Sequence, residues 1–366
     1  MQTPYRYTDP VPPTSATGPT GPTAELAELY AQIAADFGIA EPAPFVVLSA
    51  SPELAAATWA LMRESLLDGP GPRNGKTVAA LGVSLANRCP FCVDAHTLLL
   101  HAGGAPHLAD AVARDGAPDD EHHARVLAWA KATRTPGAPE LATAPFPDAH
   151  APGYIGTVLA FHFINRVVSA LLTENLLPEG VRPADLLRGP EGEALSRAVR
   201  RTPAPGASLA FLDPRFRAAH TDLDGPADGD NSADSGPGWA AGTPVAPAYA
   251  AFREVASMGA GLLSEEDQAL VTRTVADWDG AHPPVRWPEL PGTDRPGARL
   301  AVLAAVAPYR LTDDDVAAWL TPPRTDHCLV HLVAYGAFLA VTRVEHEIGT
   351  GRTGTATAPS TGPEPS

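Results

Sequence analysis

Hydrophobic residues recur along most of the chain with the spacing of an α-helix. Six segments carry apolar residues at i, i+3, i+4 and i+7, and most of them begin behind a Ser, Thr or Asp that can cap a helix. Runs of alternating β-branched and polar residues, which are typical of strands, are nearly absent. The pattern predicts an all-α fold. The six segments cover residues 23–38, 51–68, 119–134, 154–176, 263–278 and 327–349.

Segments rich in Pro, Gly, Ser and Thr separate these helices into groups. Residues 1–22 and 350–366 lack apolar periodicity, and we expect both to be disordered tails. Residues 205–247 are typical of a linker or long loop because they combine Gly, Pro, Asp and Ser between two apolar regions. We therefore expect one helical half over residues 23–204 and a second over residues 248–349.

The two halves resemble each other. A shift of 174 residues places residues 124–125 on 298–299, and the same shift places residues 159–161 on 333–335. A shift of 192 residues places "VSLANRCPFC" on "VADWDGAHPP", where Ala281 and Pro284 face the two cysteines. This similarity favours two related helical halves, of which the second lacks the cysteine pair. The alternative is that Ala-rich helices resemble one another by chance.

Charge and composition exclude several classes of protein. The net charge is −16, and only two of the 26 basic residues are lysines, so a surface that neutralises phosphates is not expected. No uninterrupted apolar run reaches the roughly 18 residues of a membrane span, and the N-terminus lacks the pattern of a signal peptide. We expect a cytoplasmic protein that binds neither nucleic acid nor membrane. Abundant Ala, Arg and Pro with scarce Lys suggest a bacterial source with a GC-rich genome.

Two of the three cysteines fall within four residues of each other, in "LANRCPFCVDAHTLLLHAGG". Asn87 can cap a helix and Pro90 suits its first turn, which would place Cys89 and Cys92 at a helix N-terminus. Such a position stabilises a thiolate. His96 lies four residues after Cys92 and can serve as its base, while Cys89 can resolve an oxidised Cys92. The spacing indicates redox chemistry without a metal.

Other interpretations of these residues are open. A structural zinc site needs four ligands, and the chain has no second Cys-x-x-Cys pair; His122, His123 and Cys328 are scattered along it. We therefore expect no metal and no cofactor. The two cysteines could also be ordinary small residues of a helix.

Polar residues elsewhere on the apolar helices allow two interpretations. His162, Asn165 and Arg166 lie on the most apolar predicted helix. They either line a pocket over the thiols or are hydrogen-bonded core residues. The second interpretation is favoured for each taken singly.

The stretch "KTVAALGVSLANRCPFCVDAHTLLLHAGG" resembles the core motif of the alkylhydroperoxidase AhpD-like proteins, which belong to the wider carboxymuconolactone decarboxylase family. The resemblance implies an all-α fold, a possible homo-oligomer, and a peroxidase and disulfide reductase that lipoylated or thioredoxin-like dithiol partners reduce again. By position, it implies that Cys92 attacks the hydroperoxide, that Cys89 is the resolving thiol and that His96 is the proton relay.

The chain departs from this family pattern at two positions. Phe91 stands where the family often has Tyr or His, and Thr77 stands twelve residues before Cys89, where the family's relay carries Glu. Because a threonine hydroxyl cannot accept a proton near pH 7, we expect slow turnover.

Three hypotheses for function follow. The first is an antioxidant thiol peroxidase that works through Cys89, Cys92 and His96. The second is a decarboxylase or lactone-processing enzyme of the wider family, which should not need the cysteine pair. The third is a non-catalytic redox-sensing protein.

Overall fold

The chain folds into helices, and a computed structural model describes residues 4–13, 23–173, 176, 183–216 and 237–353. Within these ranges there is no strand, and the only β-type pairing is an isolated bridge between Tyr5 and Leu172. The predicted all-α class is therefore confirmed. The helices are α1 (Ala24–Phe37), α2 (Ala43–Val46), α3 (Pro52–Met62), α4 (Arg73–Ala86), α5 (Pro90–Ala102), α6 (Pro106–Ala113), α7 (Glu121–Ala132), α8 (Ala151–Leu171), α9 (Pro190–Val199), α10 (Val245–Ser257), α11 (Glu265–Ala276), α12 (Pro296–Val306), α13 (Asp313–Trp319) and α14 (Asp326–Thr353).

The capping residues read from the sequence set the start of several helices. The side-chain oxygens of Thr23, Ser51, Asp120 and Ser264 each accept a hydrogen bond from a backbone N–H in the first turn of α1, α3, α7 and α11. Helix α1 ends at Gly38, whose φ of 71° is left-handed and suits glycine. Each of the six predicted helical segments contains a helix.

Two long apolar helices lie in the core. By length and composition alone, Asp148–Leu171 and Asp326–Gly349 could each cross a membrane, although the sequence shows no uninterrupted apolar run of that length. In the apolar 18-residue stretch of each helix, 94% and 72% of the residues, respectively, are buried inside the protein, as is typical of core helices. Helices α8 and α14 pack against each other, and one hydrophobic core extends through both halves of the chain.

The order of helices matches the internal similarity seen in the sequence. The shift of 174 residues carries α7 onto α12 and α8 onto the start of α14, while the shift of 192 carries α4 onto α11. Helices α5 and α6 have no counterpart, because residues 277–295 between α11 and α12 contain no helix. The second half therefore lacks the helix that bears the cysteine pair.

Parts of the predicted tail and linker pack against the helices. In the N-terminal segment, Arg6 N–H donates to the Leu171 carbonyl (3.0 Å) and Val11 N–H donates to Ser49 Oγ (2.8 Å). Residues 4–13 therefore differ from the expected disordered tail, since their backbone groups pair with the helical body. The rest of residues 1–22, the tail from residue 354 onwards and the central part of the linker, 217–236, lie outside the described residues.

A buried charge cluster holds the start of the predicted linker. Arg63 donates to Asp36 (2.7 Å) and to Glu64 (2.8 Å), and both acidic groups lie in the core beside it. Glu64 also accepts from Gly206 N–H (2.8 Å) and Ser208 N–H (3.2 Å). Because its oxygens accept from four donors, including the Ser208 hydroxyl, in a largely buried site, Glu64 fixes this segment to the end of α3.

We expect Glu64→Gln to lower the free energy of unfolding by about 3 kcal/mol, because removing one partner leaves Arg63 buried with less compensation. Chemical denaturation measures the loss. Glu121→Gln is the matched control, because its ion pair with Arg125 is exposed and should cost less than about 1 kcal/mol. Equal losses in the two variants would contradict the structural role of Glu64.

Candidate active site

The cysteine pair lies at the sharp turn between α4 and α5. Helix α4 ends at Ala86, Arg88 adopts a left-handed φ of 55°, and Cys89 is the N-cap of α5. The expectation that Asn87 caps α5 is wrong, because Asn87 is the C-cap of α4 and its side chain is buried in the core. Pro90 occupies the first position of α5, as expected. Cys92 is therefore in the first turn of that helix.

The two sulfurs of this pair lie together in the protein interior. Cys89 Sγ and Cys92 Sγ are 2.7 Å apart, and the residues are 1% and 4% exposed. Both are free thiols, and Cys328 is a third free cysteine in the other half of the chain. The spacing of three residues thus brings two thiols within reach of each other, which a redox pair requires.

Burial opposes the formation of a thiolate at Cys92. Loss of solvent, together with the neighbouring Cys89 thiol, raises the pKa of Cys92 well above its ordinary value. The sequence-based expectation of a lowered pKa is therefore wrong for this arrangement. A helix N-terminus contributes about 0.3–1 kcal/mol to an anion, whereas full burial shifts a pKa by as much as 3–5 pH units, or roughly 4–7 kcal/mol. Burial is the larger of the two effects, so the pKa of Cys92 rises.

Cys92 and His96 open onto the same apolar cavity, which has a volume of about 270 Å³. Aromatic and aliphatic side chains from α5, α8 and the segment after α1 form most of its wall. Glu41, which is exposed, supplies a carboxylate to the lining. The lining also includes Phe37, Ile39, Phe45, Met62, Phe91, Leu98, Leu99, Phe161, Ile164 and Leu176.

His96 is a neutral, buried imidazole. Its ring meets the ring of Phe161 edge-on with centroids 4.5 Å apart, and its Nδ1 is buried without a hydrogen-bond partner. Burial, and secondarily the positive charge of Arg73, lowers the pKa of His96 to about 3. His96 can accept a proton at neutral pH, but it is a weak base as placed here.

A chain of buried side-chain hydrogen bonds connects the thiols to the second half of the protein. The Asn165 side chain hydrogen-bonds the Cys92 thiol and favours its charged form, which lowers its pKa and opposes the effect of burial. Asn87 Nδ2 donates to Asn165 Oδ1 (3.2 Å), and Arg134 Nη1 donates to Asn87 Oδ1 (2.9 Å). Arg134 Nε in turn donates to the carbonyl of Gly280 (2.7 Å) in the second half.

Comparisons with known proteins show what the chain is similar to. The sequence profile of the carboxymuconolactone decarboxylase family matches residues 52–138, which include α3 to α7. The chain is also 38% identical over 330 residues to alkyl hydroperoxide reductase Rv2159c of Mycobacterium tuberculosis. The aligned region covers 88% of this chain and 90% of that protein. The chain belongs to the carboxymuconolactone decarboxylase family. No solved structure matches it significantly.

In this member of the carboxymuconolactone decarboxylase family, the three polar residues of α8 have different surroundings. Asn165 contacts the thiol pair, as one interpretation of the sequence required. His162 Nδ1 accepts a hydrogen bond from Arg166 Nη1 (3.1 Å), and His162 Nε2 pairs with the Thr133 hydroxyl (2.8 Å), so His162 is a satisfied core residue. Arg166 donates to the carbonyls of Ala305 and His162. Only Asn165 joins the site.

Thr77, at the position of the family's relay Glu, faces a different cavity. Its hydroxyl donates to the Arg73 carbonyl (2.9 Å), and it lines a polar cavity of about 370 Å³ together with Arg73 and Lys76. Burial lowers the pKa of Lys76 to about 7. Leu99 lines both this cavity and the thiol cavity. The positive charge of Arg73 contributes to the lowered pKa of His96. A negative charge at position 77, in the same cavity as Arg73, would therefore raise the pKa of His96 by offsetting that charge.

Sequence reasoning missed the roles of Arg73, Asn87 and Glu41. Arg73 and Glu41 lie at no motif spacing from the cysteines, and Asn87 seemed to be a helix cap. Arg73 and Glu41 become neighbours of the site only through packing.

We expect alkylation of Cys92 to be slow at pH 7 and to keep accelerating as the pH rises past 9, because the thiolate forms only as the pH passes the raised pKa of this thiol. Asn165→Leu should move the profile to higher pH by about one pH unit, since it removes a hydrogen bond to the charged form. Ser84→Ala is the control: Ser84 Oγ hydrogen-bonds Asn165 (3.1 Å) rather than Cys92. Mass spectrometry of alkylated peptides gives the rates.

An Asn165→Leu profile that coincides with those of Ser84→Ala and the unaltered protein would contradict the assigned hydrogen bond. Near-ultraviolet circular dichroism of all three proteins, recorded beforehand, checks that the buried core is unchanged.

Proposed function

We propose that this protein is a thiol-dependent peroxidase and disulfide oxidoreductase that reduces hydroperoxides through Cys89 and Cys92, assisted by His96. One observation carries the proposal: the Cys92 sulfur faces a cavity that also contains His96, while the Cys89 sulfur lies 2.7 Å behind it. The similarity to a protein named alkyl hydroperoxide reductase supports an oxidoreductase.

The reaction needs two electrons and one buried proton transfer. His96 accepts the Cys92 proton, and the thiolate attacks the terminal oxygen of ROOH. The O–O bond breaks, the leaving alkoxide takes the proton back from His96 and departs as ROH, and Cys92 becomes a sulfenic acid. Cys89 then attacks the Cys92 sulfur, which releases water and forms a disulfide. A dithiol reductant returns the two electrons and restores both thiols.

The two sulfurs face different cavities, which supports separate entry of substrate and reductant. Cys92 lines the apolar cavity, whereas Cys89 lines a cavity of about 260 Å³ with Arg88, Val168 and Tyr309. In the proposal, an organic hydroperoxide enters on the Cys92 side because the wall there is apolar. A lipoylated or thioredoxin-like dithiol attacks the disulfide at Cys89. This cycle requires a reducing compartment, so we place the protein in the cytoplasm.

A non-catalytic redox sensor is the second candidate. The raised pKa of Cys92 and the lowered pKa of His96 make proton transfer between them unfavourable at rest. Such a pair is suited to slow, reversible oxidation. Turnover with a dithiol reductant separates the two candidates, because a sensor consumes one equivalent of peroxide and stops.

We expect Cys92→Ser to abolish consumption of an organic hydroperoxide. Cys89→Ser should form one sulfenic acid per chain and then stop, because attack needs one thiolate whereas recycling needs the resolving thiol. Peroxide assays with a dithiol reductant and sulfenic-acid labelling give both results. Cys328→Ser is the control and should turn over like the unaltered protein, since its sulfur lies in the other half of the chain.

Equal labelling of Cys89 in Cys92→Ser and of Cys92 in Cys89→Ser would show that the roles are reversed or shared. Peroxide consumption that stops after one equivalent in the unaltered protein would favour the sensor.

We expect Thr77→Glu to raise turnover, by up to about tenfold. The new carboxylate would lie in the polar cavity beside Arg73 and Lys76, so it would be paired rather than isolated. By offsetting the charge of Arg73, it would raise the pKa of His96 and make this imidazole a better base. Thr77→Gln has the same size without the charge and should show no gain.

Turnover from pH 6 to 9 and thermal unfolding are measured for the Thr77→Glu and Thr77→Gln proteins together. A folded Thr77→Glu protein whose turnover does not exceed that of Thr77→Gln at any pH from 6 to 9 would mean that the basicity of His96 does not limit the reaction.

A further inference from the structure

A group of side chains that could hold a metal ion lies where the start of α3 meets the start of α14. His327 and His331 are four residues apart on α14, with ring centroids separated by 4.5 Å. Glu53, in the first turn of α3, places a carboxylate oxygen 4.0 Å from His331 Nε2. The ligand atoms of the three residues all lie within 4.8 Å of one another.

The histidines of this group have nitrogens available for an ion. His327 Nδ1 lies 2.8 Å from the carbonyl oxygen of Ala50, and only a protonated Nδ1 can donate to that oxygen. The proton on Nδ1 leaves the lone pair on Nε2, as in most histidines that bind metals. His331 is 4% exposed, and its Nδ1 is buried without a hydrogen-bond partner. Its other nitrogen, Nε2, lies 4.0 Å from the Glu53 carboxylate and is the one that would bind the ion.

We propose that Glu53, His327 and His331 form a binding site for a divalent transition-metal ion, with zinc as the expected ion. Two imidazoles and one carboxylate suit Zn²⁺ and leave a fourth position for water. The group is independent of the cysteine pair, because none of its residues lines the thiol cavity.

The geometry needs only a small adjustment to hold the ion. Zinc bonds of about 2.0–2.2 Å in a tetrahedron place ligand atoms roughly 3.4 Å apart, so the present separations must close by up to roughly 1.4 Å. Glu53 can make most of this movement, because its side chain is 50% exposed. The ion would connect α3 of the first half to α14 of the second half.

The test is a zinc titration of the full chain against a chromophoric chelator. Because the thiol pair can also bind zinc, the titration uses a Cys89→Ser, Cys92→Ser background. Single changes are then added: His327→Ala, Glu53→Gln, and His346→Ala as the control. His346 is an exposed histidine on the same helix and lies outside the group. His327 is also exposed, so its removal should leave the fold intact.

The background protein should bind one zinc ion per chain, and zinc should raise its thermal unfolding temperature. His327→Ala and Glu53→Gln should each weaken binding by about tenfold or more, because even changes to residues that only orient ligands cost 10–100-fold. His346→Ala should bind as the background does. Absence of zinc binding in the background, or equal affinity in His327→Ala and His346→Ala, would overturn the proposal.

Discussion

The burial of Arg134 between the two halves is the interaction on which the candidate site depends. Its guanidinium donates to Asn87 Oδ1 on one side and to the carbonyls of Gly280 and Val306 on the other. It also stacks on the Trp278 ring, 4.7 Å from the centroid. A buried cation needs such partners because the desolvation penalty is large. The second half thus supplies the groups that let Arg134 hold Asn87 in place.

The close approach at Gly280 shows how tightly the halves are joined there. Gly280 has a φ of +83°, and a Cβ on it would lie 2.3 Å from the Arg134 carbonyl oxygen. Only glycine allows both the backbone conformation and the contact. The second half carries no cysteine pair of its own, yet it completes the hydrogen-bond chain that reaches Cys92 through Asn87 and Asn165.

Burial also sets the character of the thiol chemistry. The same desolvation raises the pKa of Cys92 and lowers the pKa of His96, so both groups are neutral before substrate binds. Asn165 alone among the described contacts of Cys92 favours its charged form. A site of this kind protects its thiols from water while it delays their reaction. In such a cavity, proton transfer from the thiol depends on the polar groups that a bound substrate adds.

The sequence by itself determined the helical class, the positions of the main helices and the proximity of Cys89 and Cys92, because apolar periodicity, caps and a three-residue spacing are local properties. It also contained His327 and His331 at the spacing of metal ligands, although that spacing was overlooked. Only the tertiary structure decided what surrounds each of the candidate site residues. It turned Asn87 from an expected helix cap into a core residue, directed Thr77 into a second cavity, and brought Glu53 to the two histidines. These outcomes depend on desolvation and on contacts between distant segments, which local patterns do not encode.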